Sequence, residues 1–101
     1  MTQSTLWRVP FDHPAFAGHF PGAPILPGVV LLDAALQAIA EARGITLEQC
    51  EICSVKFLSP AGPGDLLEIR HNVTPGGSIH FDIVAGLRKI ADGRIMTVPP
   101  T

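Results

Sequence analysis

The chain has 101 residues, of which 47% are hydrophobic and 16% charged, and its net charge at neutral pH is -2. That length suits one domain with one core, spanning 1–101. The near-neutral charge and scattered cations exclude an electrostatic grip on nucleic acid or an anionic membrane, and the apolar excess points to surface meant for a second copy or a greasy ligand.

Residues 1–9 lack the long apolar core of a secretory signal. The longest apolar stretch is broken by Asp33 and Gln37, so it makes a poor membrane span, and a soluble, cytoplasmic protein without membrane insertion is expected. Residues 5–9 read as a short strand and 10–26 as a loop. Within that loop lies HPAFAGHFPGAPILPG, residues 13–28. Pro21, Pro24 and Pro27 recur at every third position, a spacing suited to a stiff extended segment. His19 sits inside it. Neutral imidazole is the natural base near neutral pH, and a stiff loop limits the entropy lost in holding it in place. A lone loop histidine is usually an ordinary one; the rigidity around His19 is what singles it out. His13 reads as a loop anchor.

Residues 27–43 are the one clear helix. Pro27 fits a first turn and Gly44 the left-handed position past the end, while alanine and leucine fill the interior. Its residues leave almost no polar face, and a helix apolar nearly all round is buried nearly all round. One small sheet cannot cover every side, so a homodimer is the economical answer. Asp33, Gln37 and Glu41 fall four apart on one stripe. A solvent face explains Glu41 well and Asp33 less well, because Leu31, Leu32, Ala34 and Ala35 flank it. Burial favours a neutral carboxyl, the form that can act as a general acid, while the helix dipole favours the anion. Gln37 is placed to hydrogen-bond that carboxyl. At the helix start, the N–H groups of Gly28, Val29 and Val30 are expected to lack intrahelical partners, and could stabilise negative charge growing on a carbonyl oxygen.

Beyond Gly44 the pattern changes to strands at 51–59, 66–74, 78–90 and 94–98, divided by PAGPGD, TPGG and ADG. In 78–90, Ile79, Phe81, Ile83, Ala85 and Leu87 form the apolar alternation, and His71 and His80 sit on strand faces. Short turns imply antiparallel pairing, so the fold class is α+β, one helix against a curved antiparallel sheet. Cys50 and Cys53 form a CxxC, but no second pair supplies the ligands a zinc site needs; no metal is expected, and both read as reduced thiols.

GHFPGAPILPGVVLLDAALQA, residues 18–38, resembles the active-site segment of the hot-dog fold 3-hydroxyacyl-[acyl-carrier-protein] dehydratases. VKFLSPAGPGDLL, residues 55–67, resembles that family's next strand and turn, and ADGRIM its last hairpin. The resemblance covers most of residues 10–96. It implies a helix wrapped by a curled sheet, a dimer whose sheets run edge to edge or an assembly of such dimers, and an acyl tunnel between subunits. It maps the catalytic histidine to His19 and the catalytic acid to Asp33, drawn from different subunits. Gly28, Val29, Gln37 and Phe20 are the expected substrate contacts, with the Gly28 amide on the thioester carbonyl.

The chain departs from the family in having aspartate at the acid position, where many simple dehydratases carry glutamate. Aspartate is similar to the branch that also isomerises the double bond. The segment before GHFPG is trimmed to about STLWRV. The implied reaction is dehydration of a 3-hydroxyacyl thioester on acyl-carrier protein to a trans-2-enoyl thioester, in fatty-acid or polyene-type biosynthesis. It needs no cofactor beyond the carrier's phosphopantetheine arm, since the carbonyl is the electron sink. Carrier docking falls to Lys56, or to Arg88 and Lys89. The rival readings are a hot-dog thioesterase, for which the GHFPG histidine has no clear use, and a non-catalytic acyl-binding or partner subunit.

Overall fold

The computed structural model describes residues 2–16 and 25–98. His19 and Phe20 lie outside them. Five strands form one antiparallel sheet: β1 (Gln3–Arg8), β2 (Cys50–Phe57), β3 (Leu66–Val73), β4 (Ile79–Ala85) and β5 (Arg88–Thr97), in the order β1-β3-β4-β5-β2. One helix, α1 (Gly28–Arg43), packs on it. Single 3-10 turns at Pro14–Phe16 and Leu47–Gln49 complete the elements. This is the α+β wrap that the resemblance implies. Among the described residues no helix is long and apolar enough to cross a membrane.

Alternation decides what faces α1. Leu67, Ile69 and His71 of β3, Ile79, Phe81 and Ile83 of β4, and Ile95 of β5 point inward and are buried. Leu31, Ala35 and Ile39 supply the helix side of that core. Ile90 and Ala91 are adjacent in sequence yet both buried, because the β4–β5 register shifts between Ile83 and Val84 and sets an extra residue against the partner strand. α1 starts at Gly28 with Pro27 as its cap and stops at Gly44, whose φ is +67° and whose N–H donates to the Ala40 carbonyl.

The structure corrects the last third of the chain. The expected strand 78–90 is two strands, turned at Gly86, whose φ is +61°, and Leu87. Leu87 therefore leaves the buried alternation and is fully exposed. ADG is no turn and ADGRIM no hairpin; Ala91, Asp92 and Gly93 run straight through β5. Gly93 serves packing instead: a Cβ there would lie 2.6 Å from the Ser54 carbonyl oxygen and 2.7 Å from the Phe81 ring. The helix is also less enclosed than its composition implies. Within one protomer Leu31, Ala35, Ile39 and Ala40 are buried, whereas Val29 is 72% exposed and Asp33, Gln37 and Glu41 face outward. β2, at the sheet edge, is exposed along nearly its whole length, with Ile52 and Phe57 uncovered.

Candidate active site

α1 places Asp33 and Gln37 one turn apart, so their side chains meet. Gln37 Nε2 donates to Asp33 Oδ2 at 2.7 Å. That ties down one carboxyl oxygen, Oδ2, and with it the orientation of the side chain. Both residues line a groove of about 280 Å³ between α1 and β1, walled by Leu6, Trp7, His13 and Ile69. Ala34 and Ala38 keep the helix side of the groove shallow. Asp33 is exposed in the single protomer, on the outward stripe of the helix.

Sequence reading reduced His13 to a support, and the structure gives it a second place as a wall of the Asp33 groove. Its Nδ1 accepts the Ala15 N–H at 3.0 Å. That bond requires a lone pair on Nδ1 and so places the neutral ring's proton on Nε2. Edge-to-face contacts hold the ring, with centroids 6.4 Å from Trp7 and 6.1 Å from Phe16. Trp7 was missed too; the only signal for it was a bulky aromatic in a strand next to the loop.

The helix start is the second half of the site. Among the described residues neither Gly28 nor Val29 gives its N–H to a backbone carbonyl, but Val30 does, to Pro27 at 3.0 Å. Among the described residues the amides without a backbone acceptor at the helix start are therefore Gly28 and Val29, without Val30. Gly28 opens onto a second cavity of about 400 Å³, lined by Ile25, Leu26, Leu31, Phe57, Leu58 and Pro60. Its missing side chain is matched by protein rather than only by open space: a Cβ on Gly28 would lie 2.9 Å from the Phe57 ring. Phe57, inside the VKFLSP stretch, thus covers the helix start, a role its strand position did not announce.

The remaining candidates are placed as follows. His71 is buried at 0% exposure, and Arg43 Nε donates to its Nδ1 at 3.0 Å. Burial, and then the Arg43 charge, hold its imidazole below the ordinary histidine range. His80 lies on the opposite face, 3.8 Å from Asp82. Cys50 and Cys53 are free thiols, and the β2–β5 register shifts between Ile52 and Ser54, which makes Cys53 the extra residue of a bulge. Burial pushes the Cys50 thiol up, away from thiolate chemistry.

A profile of the ApeI-like family, described as ApeI dehydratase, matches residues 2–94. The chain belongs to that family. This dehydratase is 36% identical over 104 residues to the 3-hydroxyacyl-[acyl-carrier-protein] dehydratase FabZ of Chlamydia trachomatis, with 90% of this chain and 68% of that protein covered. It is 40% identical over 84 residues to FabZ of Roseobacter denitrificans, covering 71% of this chain and 55% of that one. Among solved structures, the dehydratase heterocomplex ApeI:P from Xenorhabdus doucetiae shares its fold with a TM-score of 0.75 at 24% identity, over 97% of this chain and 88% of that one. The fluoroacetyl-CoA thioesterase FlK shares it with a TM-score of 0.69 at 13% identity, over 94% and 82%. The hot-dog fold alone therefore does not separate dehydration from hydrolysis; the family match does, and the enzyme is a dehydratase.

Proposed function

We propose that this dehydratase converts a 3-hydroxyacyl thioester, carried on acyl-carrier protein, to the trans-2-enoyl thioester and water. The N–H groups of Gly28 and Val29 donate to the thioester carbonyl oxygen, which acidifies the proton on C2. His19 takes that proton. The C3–O bond breaks as Asp33 gives its proton to the leaving hydroxyl, and solvent exchange returns a proton to Asp33 and removes one from His19. Gln37 holds Oδ2, so the proton that Asp33 donates sits on Oδ1. The carbonyl takes up the electron pair as an enolate, and no metal or organic cofactor enters the step. His19 and Asp33 of one site come from two subunits of a homodimer, whose closure over the Asp33 groove dries it and favours the protonated acid. The setting is cytoplasmic.

The observation that carries this reading is the Asp33–Gln37 hydrogen bond at the edge of a groove, on a helix whose first two amides have no backbone acceptor among the described residues. The FabZ relatives, whose names state the same reaction, support the substrate class. Asp33→Asn and His19→Ala are expected to lower kcat on a 3-hydroxyacyl thioester by about 10²- to 10⁴-fold with the fold intact. Product is followed as enoyl absorbance and as released thiol. Variants that turn over at the wild-type rate sink the assignment of these residues, and thiol release without enoyl product shows hydrolysis in its place.

A further inference from the structure

The 60–65 loop borders the mouth of the helix-start cavity and is held by three backbone hydrogen bonds, to Leu26 and Val9. Leu26 N–H donates to the Ala61 carbonyl at 2.7 Å, Gly64 N–H to Val9 at 2.8 Å, and Val9 N–H to Asp65 at 2.9 Å. Leu26 and Pro60 also line that cavity. Two guanidinium groups are fixed on the same loop. Arg8 Nη1 donates to the Gly64 carbonyl at 2.8 Å. Arg88 donates to the Pro60 carbonyl, with its Nη2 3.4 Å from Asp65 Oδ2. Arg8 has no carboxylate within ion-pair distance among the described residues, and Arg88 is about half exposed.

Lys89, named with Arg88 from the sequence, is different. Its Nζ lies 2.9 Å from both Asp82 Oδ1 and Asp92 Oδ2, so its charge is neutralised within the sheet face. Arg8 and Arg88 meet one carboxylate between them among the described residues, Asp65, which leaves net positive charge on the loop beside the cavity. Next to Arg88, the turn at Gly86 holds Leu87 fully out in solvent. Phe11, 76% exposed, lies against Gly64 at the other end of the loop; a Cβ on that glycine would sit 2.4 Å from its ring. Apolar side chains held this far out beside a net positive charge form a surface with no function inside the protomer.

We propose that Arg8, Phe11, Leu87 and Arg88 form the docking surface for the acidic carrier protein that brings the thioester. The inference rests on the dehydration reading, because a substrate on a tethered arm requires its carrier to seat beside the opening that leads to Gly28. Rim cations steer an acidic partner, and the protruding leucine supplies the apolar contact.

The test compares two substrates with the same 3-hydroxyacyl group, one on holo-carrier protein and one on N-acetylcysteamine, which has no carrier. Leu87→Ser, and Arg8→Ala combined with Arg88→Ala, are each expected to lower kcat/KM for the carrier-bound substrate about tenfold and to leave the small thioester unchanged. The wild-type rate on the carrier substrate is expected to fall with salt, and that of the double arginine variant to fall less. Equal losses on both substrates, or none on either, overturn the proposal. Binding of holo-carrier protein without an acyl group, by fluorescence anisotropy, reads the surface independently of turnover. A wild type that binds the carrier and dehydrates neither substrate leaves the surface standing and removes the dehydration reading. No carrier binding, or stronger capture by vesicles of phosphatidylcholine and phosphatidylglycerol, overturns the surface itself.

Discussion

At the scale of single residues, His71 shows how burial and a neighbouring charge act together. It is wholly buried, Arg43 donates to its Nδ1, and among the described residues its Nε2 has no hydrogen-bond partner. A second ring proton would go to Nδ1, in a dry setting and against the Arg43 guanidinium, so the fold disfavours the charged imidazole. Below the unfolded pKa of about 6.5 the unfolded chain binds that proton first. His71 therefore lowers stability as pH falls from about 6.5 toward its depressed folded value, and has no effect above that range. Urea midpoints measured between pH 7.5 and 5, in steps, are expected to fall on acidification for the wild type and less steeply for His71→Gln, which can still accept from Arg43 but cannot titrate; the approximate range follows the ordinary histidine pKa. Equal slopes in the two proteins rule this out. Spacing alone put Asp33 within reach of Gln37, because four residues are one helical turn. It could not put His71 inside, because alternation names two faces of a strand and only sheet pairing says which one is covered.

Among the elements, the β4–β5 hairpin separates two kinds of glycine that look alike in sequence. Gly86 turns the chain with a positive φ, and Gly93 lets Phe81 and the Ser54 carbonyl approach the middle of a strand. ADG has the composition of a turn, yet its glycine is required by packing. The two sites respond differently to alanine. Gly93→Ala overpacks the core next to backbone that cannot yield, and is expected to cost roughly 1–3 kcal/mol. Gly86→Ala strains only the turn, at about 1 kcal/mol. Urea denaturation of both variants checks the ranking, and a Gly86 variant that is the less stable of the two contradicts it. The helix was legible at both ends, since proline at the start and a left-handed glycine at the stop are local devices. The end of the long strand pattern at 78–90 was not, because a bulge at Ile83/Val84 shifts the inward set by one residue.

For the whole molecule the unmet surface is the main fact. β2 lies at the sheet edge with both faces mostly exposed, Val29 stands out of the helix start, and the Asp33 groove is open. An exposed apolar edge strand is a pairing site unless it is covered. The homodimer proposed above covers it and draws His19 and Asp33 of each site from two chains. Mixing His19→Ala protein with Asp33→Asn protein and allowing exchange is then expected to recover activity, because each hybrid dimer holds one intact site. No recovery after exchange has been verified by mass places both groups in one chain. Ile52→Lys, on the exposed edge, is expected to shift sedimentation toward the monomer and to remove activity in parallel.

By itself the sequence determined what is local. A 3.6-residue period bounded by proline and glycine specified one helix, and the four-residue spacing of Asp33 and Gln37 specified their contact. The GHFPG block with its helix carried enough shared spacing to identify the family. Tertiary structure decided what depends on residues far apart. It set the strand order that leaves β2 at an edge and the bulge that buries Ile90 with Ala91. It also made Gly93 a packing site, brought His13 and Trp7 to the acid's groove, and placed Arg8 beside Arg88 across a loop. The physical reason is range: propensity, capping and turn residues act within a few positions, whereas register, burial and cavity walls are fixed only when distant segments meet.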